Sequence, residues 1–528
     1  MKNKVFIYDT TLRDGAQGEG VSFSDAGKVR FAKMMDGFGI DFIEGGFAGS
    51  NPRDQKFFRE IRKETLSHAK ITAFGSTRRA DIAAAQDPQL QGLLAANTEW
   101  VTIYGKSWLL HVTDVLKTTG ENNLQMIADT VGFLKNAGRQ VFFDAEHFFD
   151  GYKDNPEYAL KVLKAAVAEG AAGLILCDTN GGTLPHEIYD VVRNVCKAFP
   201  KVQIGIHAHN DGGLSVANSL EAVRAGACHV KGTINGYGER TGNANLTTII
   251  PSLELKMGRF CVGAEKLRDL REISVITDDL ANQRVDPRQP YVGSTAFSHK
   301  AGMHVNAVQK NARTFEHIAP EQVGNQRHVL ISELSGASNI VMKAKELGVD
   351  VDQLSKEGSR AILNELKLRE NKGYSYEAAD GSFKILLQKV LNKHKPFFEL
   401  EGFRVIVEKR GREQPCVSEA TIKVKVGNET ELTAGEGQGP VDALNAALRT
   451  ALTRFYPEIA QIVLTDYRVR ILDPKQATRA MTRVLIESSD GKKEWGTVGV
   501  SENIIEASWQ ALLDSVEHKL YEAASAKK

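Results

Sequence analysis

Long apolar runs are missing from this chain of 528 residues: no window approaches about 18 uninterrupted apolar positions, so no transmembrane helix and no membrane partner are predicted. A block of one charge is missing as well. Lys and Arg number 67 against 66 Asp and Glu, and no basic stretch could track a phosphate backbone, which argues against a nucleic-acid partner. Cysteines are few. Cys177, Cys196, Cys228, Cys261 and Cys416 form no CxxC pair, and their odd number suits a reducing compartment, so a cytoplasmic location is expected. No apolar leader with a small-residue cleavage site opens the chain. MKNKVFIYDTTLRDG passes from a short β-branched and aromatic run straight into polar residues and reads as a first strand.

What is present is the composition of an ordinary globular protein, 42% hydrophobic and 25% charged. The length suits about three domains, or fewer if one is an α/β barrel of about 250 residues. From residue 4 to 258 short apolar runs alternate with helix-period segments, the pattern of repeated βα units on a parallel sheet. Strands are predicted at 5–8, 42–44, 71–75, 100–104, 140–144, 173–177, 203–207 and 229–234. Eight strands in this length fit a (β/α)8 TIM barrel better than an open doubly wound sheet. After 260 the alternation fails, and 337–347 and 351–368 read as amphipathic helices of a helical linker. Beyond 398 a repeat with a period of about 63 residues emerges, pairing 403–407 with 466–470. Each copy continues with two strands about a turn, Gly427-Asn428 or Asp490-Gly491, and a helix, 440–452 or 501–520. The predicted organisation is a catalytic α/β barrel at 1–270, helical linker subdomains at 271–395, and a C-terminal α+β domain of two βββα units at 396–528.

Chemistry in a barrel belongs just past the C-terminal ends of the strands, so polar residues there carry weight. Strand one is followed by Asp9-Thr10-Thr11-Leu12-Arg13-Asp14-Gly15, for which a capped, solvated loop before a helix near Ser24 is an equal reading. Strand seven ends in His207-Ala208-His209. Residues i and i+2 of an extended segment point the same way, so both imidazoles can reach one cation, and Asn210 and Asp211 are candidates to fix a histidine tautomer. Closure of the barrel makes strands one, seven and eight neighbours. That brings Asp14 toward the histidines, and the loop after strand eight can add the amide oxygen of Asn243. Asp, two His and Asn form a mixed oxygen and nitrogen set suited to Mn, Zn, Co or Mg. Glu146 follows strand five, Thr179 follows strand six and Glu44 ends strand two; each reads equally as a cavity group or an ordinary loop or cap residue. Outside the barrel, Ser298 to His304 gathers two histidines and a lysine around Gly302, or simply starts a polar helix. Gly435, Gly437 and Gly439 precede a helix N-terminus able to attract a carboxylate, or form a flexible turn.

The strings DTTLRDG, HAHND and GERTGNANL make the chain similar to the Claisen-type synthases built on a metal-dependent TIM barrel, which include 2-isopropylmalate, homocitrate and citramalate synthases. The resemblance runs over essentially the whole chain, with GEGQGPVDALNAAL typical of the amino-acid-binding C-terminal domain. Within the family, 43–58 (IEGGFAGSNPRDQKFF) and 143–152 (FDAEHFFDGY) most resemble the long form of citramalate synthase, with 2-isopropylmalate synthase the alternative. The resemblance implies an acyltransferase condensing acetyl-CoA with pyruvate. It implies a divalent metal on Asp14, His207 and His209 with Asn243 near or in its shell, and Arg13 on the ketone oxygen. Glu146 would help orient the metal site and substrate, Thr179 would bind the substrate carboxylate, and His304 of the partner subunit in a homodimer would join proton transfer; Glu44, from its strand-end position, is a further candidate substrate contact. Isoleucine is the implied feedback inhibitor at the C-terminal domain, with Gly435, Gly437 and Gly439 as its candidate contacts. One departure stands out: Phe315 occupies a position where the family often has Tyr.

Overall fold

The computed structural model describes residues 3–49, 51–299, 302–329, 343–344, 347, 349, 356–409, 411–472 and 480–526. It divides into two compact units, one of Met1–Phe297 with Ile318–Gln326, the other of Ser298–His317 with Arg327–Lys528. Most of the predicted helix at 337–347, the start of that at 351–368, and Lys300 and Ala301 lie outside the described residues.

The first unit is a closed barrel of parallel strands, β1 (Phe6–Asp9), β2 (Phe42–Phe47), β3 (Lys70–Ser76), β4 (Trp100–Lys106), β5 (Gln140–Glu146), β6 (Gly173–Asp178), β7 (Gln203–Ala208) and β8 (His229–Gly232), in sequential order with β8 against β1. The expected barrel and its eight strand positions are therefore observed. One boundary is corrected. The strand expected to run to 234 stops at Gly232, because Asn235 turns left-handed at φ 62° and its amide instead binds Ser274 and Asp278. Helices cover the outside. The first, Asp25–Phe38, is capped by Ser24 accepting from Gly27 N–H and stopped by Gly39 at φ 98°, a conformation costly for any side chain.

Strand alternation sorts the barrel interior into layers. Toward the bottom, Tyr8, Phe42, Phe142 and Ile175 form a buried cluster, which Cys177 extends upward along β6 to the cavity. Phe42 meets Phe142 edge-on at 5.0 Å, Trp100 stacks on Phe142 at 4.9 Å, and His229 meets it at 5.3 Å. Two residues further along the strands, on the same inward face, come Glu44, Thr72, Thr102, Asp144 and Lys231, and beyond them the rim.

The second unit carries the short strands β9 (Ser298–His299) and β10 (His328–Val329) and the helices Gly302–Lys310, Lys356–Asn371 and Asp380–Val390. Two antiparallel sheets follow: β11 (Glu399–Glu408), β12 (Val417–Val426) and β13 (Glu429–Gly437), then β14 (Val463–Ile471), β15 (Thr482–Ser489) and β16 (Glu494–Ser501). Helix Pro440–Thr453 follows the first sheet and Ile504–Ala526 the second, and both bury apolar faces in one core with Ile422, Val424, Val484 and Ile486. The repeat extends to a bulge, which falls between Leu400 and Gly402 in β11 and between Leu464 and Asp466 in β14. Both expected hairpin turns place glycine at positive φ, Gly427 at 59° and Gly491 at 81°.

Phe142→Ala should lower the unfolding free energy by about 3–5 kcal/mol, because its ring is fully buried among those of Tyr8, Phe42, Trp100 and His229. Urea unfolding followed by circular dichroism measures this; a loss below about 1 kcal/mol would mean that the aromatic layer repacks freely.

Candidate active site

The strand ends surround a cavity of about 260 Å³ at one mouth of the barrel. It is lined by Arg13, Asp14, Glu146, Thr179, His207 and His209, and also by Gln17, Phe47, Phe74, Tyr104, Asp144, Cys177, Glu239 and Arg240. Six of the residues singled out on sequence thus share one space.

His207 is the last inward residue of β7, and His209 follows beyond its end, their rings 5.0 Å apart. A bridge between His209 and Asn243 folds the loop after β8 against them, so Asn243 Oδ1 lies 2.9 Å from His207 Nε2. Asp14 Oδ2 reaches the same nitrogen from the other side at 3.2 Å. Donor atoms of Asp14, His207 and His209 lie within 4.8 Å of one another, all three residues are buried, and His209 Nδ1 has no hydrogen-bond partner. Burial, with His207 beside it, depresses the His209 pKa to about 3, so the imidazole is neutral with a lone pair available. Burial opposes ionisation of Asp14, yet Arg13 and the His207 hydrogen bond hold its carboxyl well below the ordinary range. An ionised carboxylate, two imidazoles and an amide oxygen gathered in this way fit a divalent cation. Asn210 and Asp211 do not serve the histidines. After His209 the chain turns, so Asn210 Oδ1 caps Ser215 and Asp211 pairs with Arg240.

Arg13 is held rigidly. Its Nε donates to Glu44 Oε1 at 2.6 Å, its Nη1 lies 3.4 Å from Asp14, and its guanidinium sits 3.8 Å above the Phe74 ring. The expectation that Glu44 contacts substrate is corrected. Glu44 is fully buried beneath the cavity, and its two oxygens accept from Thr10, Arg13, Tyr8 and Lys231, so it reaches the cavity only through Arg13. A register shift between Glu44 and Phe47 turns the Phe47 ring into the mouth. Gly45 is required there, since a Cβ would come 2.3 Å from Phe57.

Glu146 pairs with Lys106 at 2.5 Å on the neighbouring strand. The Thr179 hydroxyl accepts from His147 N–H at 2.9 Å, which leaves its own proton to donate into the cavity. His304 belongs to the second unit, on helix Gly302–Lys310, with its ring 4.2 Å from Phe315. Gly435 and Gly437 have a packing reason: a Cβ on either would come within 2.5 Å of backbone nitrogen of helix Pro440–Thr453. Around Gly439 there is open space.

Asp144 and Lys231 escaped the sequence reading, although a signal existed. Strands of a parallel barrel are close to continuously apolar, so the charges inside FFDAE and HVKG are anomalies. Tyr104, Phe47 and Arg240 carried no comparable mark.

Three family models match along the chain: HMGL-like at residues 4–277, homocitrate synthase post-HMGL domain-like at 291–372, and LeuA allosteric (dimerisation) domain at 377–520. An (R)-citramalate synthase of Aquifex aeolicus is 52% identical over 98% of this chain and 98% of the relative. A second, from Geobacter sulfurreducens, gives the same three figures. The chain belongs to the (R)-citramalate synthase family. A 2-isopropylmalate synthase of Methanocaldococcus jannaschii stands further off, at 32% identity over 97% of this chain and 94% of its own. Like the rest of the citramalate synthase family, the chain is an acyltransferase on a TIM barrel.

Asn243→Ala should weaken Mn2+ affinity by roughly 10–100-fold, and Asp14→Ala by more, both with native far-UV circular dichroism. Equilibrium dialysis of the purified variants decides it. A variant that binds the ion as tightly as wild type removes that residue from the set.

Proposed function

We propose that the chain catalyses the condensation of acetyl-CoA with pyruvate, followed by thioester hydrolysis, to release (R)-citramalate and CoA. Identity of 52% along the whole length of named citramalate synthases, joined to a cavity that gathers Arg13, Thr179 and the Asp14, His207, His209 cluster, is the observation that carries this reading. Pyruvate is preferred over 2-oxoisovalerate because Phe47, Phe74 and Tyr104 crowd the mouth; an added methylene is worth about 1–3 kcal/mol in such a pocket.

Asp14, His207 and His209, with Asn243 beside them, would hold a divalent ion, which when bound would supply Lewis acidity to the condensation. Thr179 donates its hydroxyl proton to the substrate carboxylate. Arg13, its orientation fixed by Glu44 and Phe74, hydrogen-bonds the ketone oxygen and stabilises the alkoxide that forms when the acetyl carbon adds. The acetyl methyl gives up one proton, the new carbon-carbon bond uses that electron pair, and the alkoxide takes up a proton. Water then cleaves the thioester. Glu146, anchored by Lys106, orients the substrate end of the cavity, and His304 of a partner subunit takes part in proton transfer. The enzyme works as a homodimer in the cytoplasm and is inhibited by isoleucine through the C-terminal domain. Supporting this are the match to the LeuA allosteric (dimerisation) domain, the exposed Ile406, Val407, Val469 and Ile471 on β11 and β14, and five free cysteines.

Release of CoA thiol by the Mn2+-supplemented protein tests the whole reading. Acetyl-CoA is combined in turn with pyruvate, 2-oxobutyrate, 2-oxoisovalerate and 2-oxoglutarate, with and without isoleucine or leucine. Highest kcat/KM for pyruvate with inhibition by isoleucine is expected. Preference for 2-oxoisovalerate with inhibition by leucine would instead make the enzyme an isopropylmalate synthase. Arg13→Ala should lower kcat/KM by about 100–1000-fold in the same assay.

A further inference from the structure

Four side chains from four different barrel positions, Arg13 and Asp144 lining the cavity and Glu44 and Lys231 buried beneath it, form one ionic chain. Lys231 of β8 has no exposed surface, and its ammonium lies 2.7 Å from Glu44 Oε2 and 2.7 Å from Asp144 Oδ2. It also rests 4.5 Å from the Tyr8 ring centre. Glu44 in turn holds Arg13. Two cations thus face two carboxylates and these four groups balance, with Asp14, 3.4 Å from Arg13, standing outside them in the cluster with His207 and His209. Burial would strip Lys231 of its proton, but Asp144 and Glu44 keep it charged and raise its pKa above the ordinary lysine value. Burial likewise opposes ionisation of Glu44, and Arg13 with Lys231 holds it ionised.

Without Lys231 the arithmetic changes. Arg13, already 3.4 Å from Asp14, alone would have to answer both Glu44 and Asp144, and Asp144 lines the cavity with its Oδ1 lacking any hydrogen-bond partner. A net negative floor would face an anionic substrate, and the one guanidinium able to bind that substrate would be drawn down toward the floor. We infer that Lys231 is a positioning residue for the reaction: it cancels Asp144 and pins Glu44, so that the Arg13 guanidinium stays aimed at the cavity and its charge stays available to a 2-oxo acid. The inference rests on the reading of the cavity as a 2-oxo acid site.

Steady-state kinetics and pyruvate calorimetry on the full-length, Mn2+-supplemented protein test it, with Lys231→Met and two double variants of equal charge. Lys231→Met should raise the KM for pyruvate and cut kcat/KM by about 100-fold, while the KM for acetyl-CoA stays put. A lysine that merely fills the core would lower both substrates' kcat/KM together with the folded fraction. Lys231→Met/Asp144→Asn keeps the Arg13 and Glu44 pair and should recover kcat/KM at least about tenfold over the single variant. Lys231→Met/Glu44→Gln has the same charge but frees Arg13, and should recover none. An unchanged pyruvate KM in the single variant, or equal kcat/KM in the two doubles, overturns the inference. So does failure of Lys231→Met/Asp144→Asn to fold, since charge balance requires that double to be stable even where the single is not. Wild-type protein that binds and turns over no pyruvate would instead defeat the proposed function, a separate result.

Discussion

Glu44 accepts four hydrogen bonds in the middle of the barrel, from Tyr8, Thr10, Arg13 and Lys231, and the order of the mouth above depends on that one carboxylate. Burying an ion costs several kcal/mol unless every lone pair is answered. Here both Glu44 oxygens are answered twice, so the guanidinium of Arg13 has little freedom to choose another partner. Thr72 and Thr102 complete the layer through the Tyr8 hydroxyl, which ties β3 and β4 to β1 and β2. The aromatic floor below keeps water out of this layer and so keeps its ion pairs strong.

Above that layer the same alternation delivers different chemistry. Phe142, Asp144 and Glu146 follow one another on the inward face of β5, one in the floor, one in the ionic layer and one at the rim. On β7 and beyond, His207 and His209 occupy the upper positions, and the loop after β8 closes over them through Asn243. A rigid scaffold with a polar rim suits a reaction whose barrier falls through positioning and charge stabilisation. The C-terminal domain is built differently. Each βββα copy buries one face of its sheet against a helix, while β11 and β14 leave apolar side chains such as Ile406 and Ile471 exposed.

Much of this was legible in the residues alone. Strand positions followed from short apolar runs at regular spacing, and the doubled C-terminal unit from its period, because burial of one face imposes those rhythms on any sequence that folds this way. His207 and His209 could be read as a pair, since the two-residue period of a strand sends them to one side whatever the rest of the fold does. The end of β8 was misplaced at 234 because the left-handed turn at Asn235 is set by contacts with Ser274 and Asp278, far away in the chain.

Which residues meet was another matter. Glu44 looked like a substrate contact at a strand end, and Asn210 and Asp211 looked like partners of the histidines, because sequence position tells how near a residue is to the rim but not what already occupies its hydrogen bonds. Lys231 lies 187 positions from Glu44 and 87 from Asp144, and only closure of the barrel brings the three together. Local pattern determined the elements, their order and the residue types at the mouth, for those depend on neighbours along the chain. The tertiary structure decided the pairings and hence which charges are spent within the protein and which remain for a substrate, because electrostatic balance in a buried layer is a property of the whole set and of no single strand.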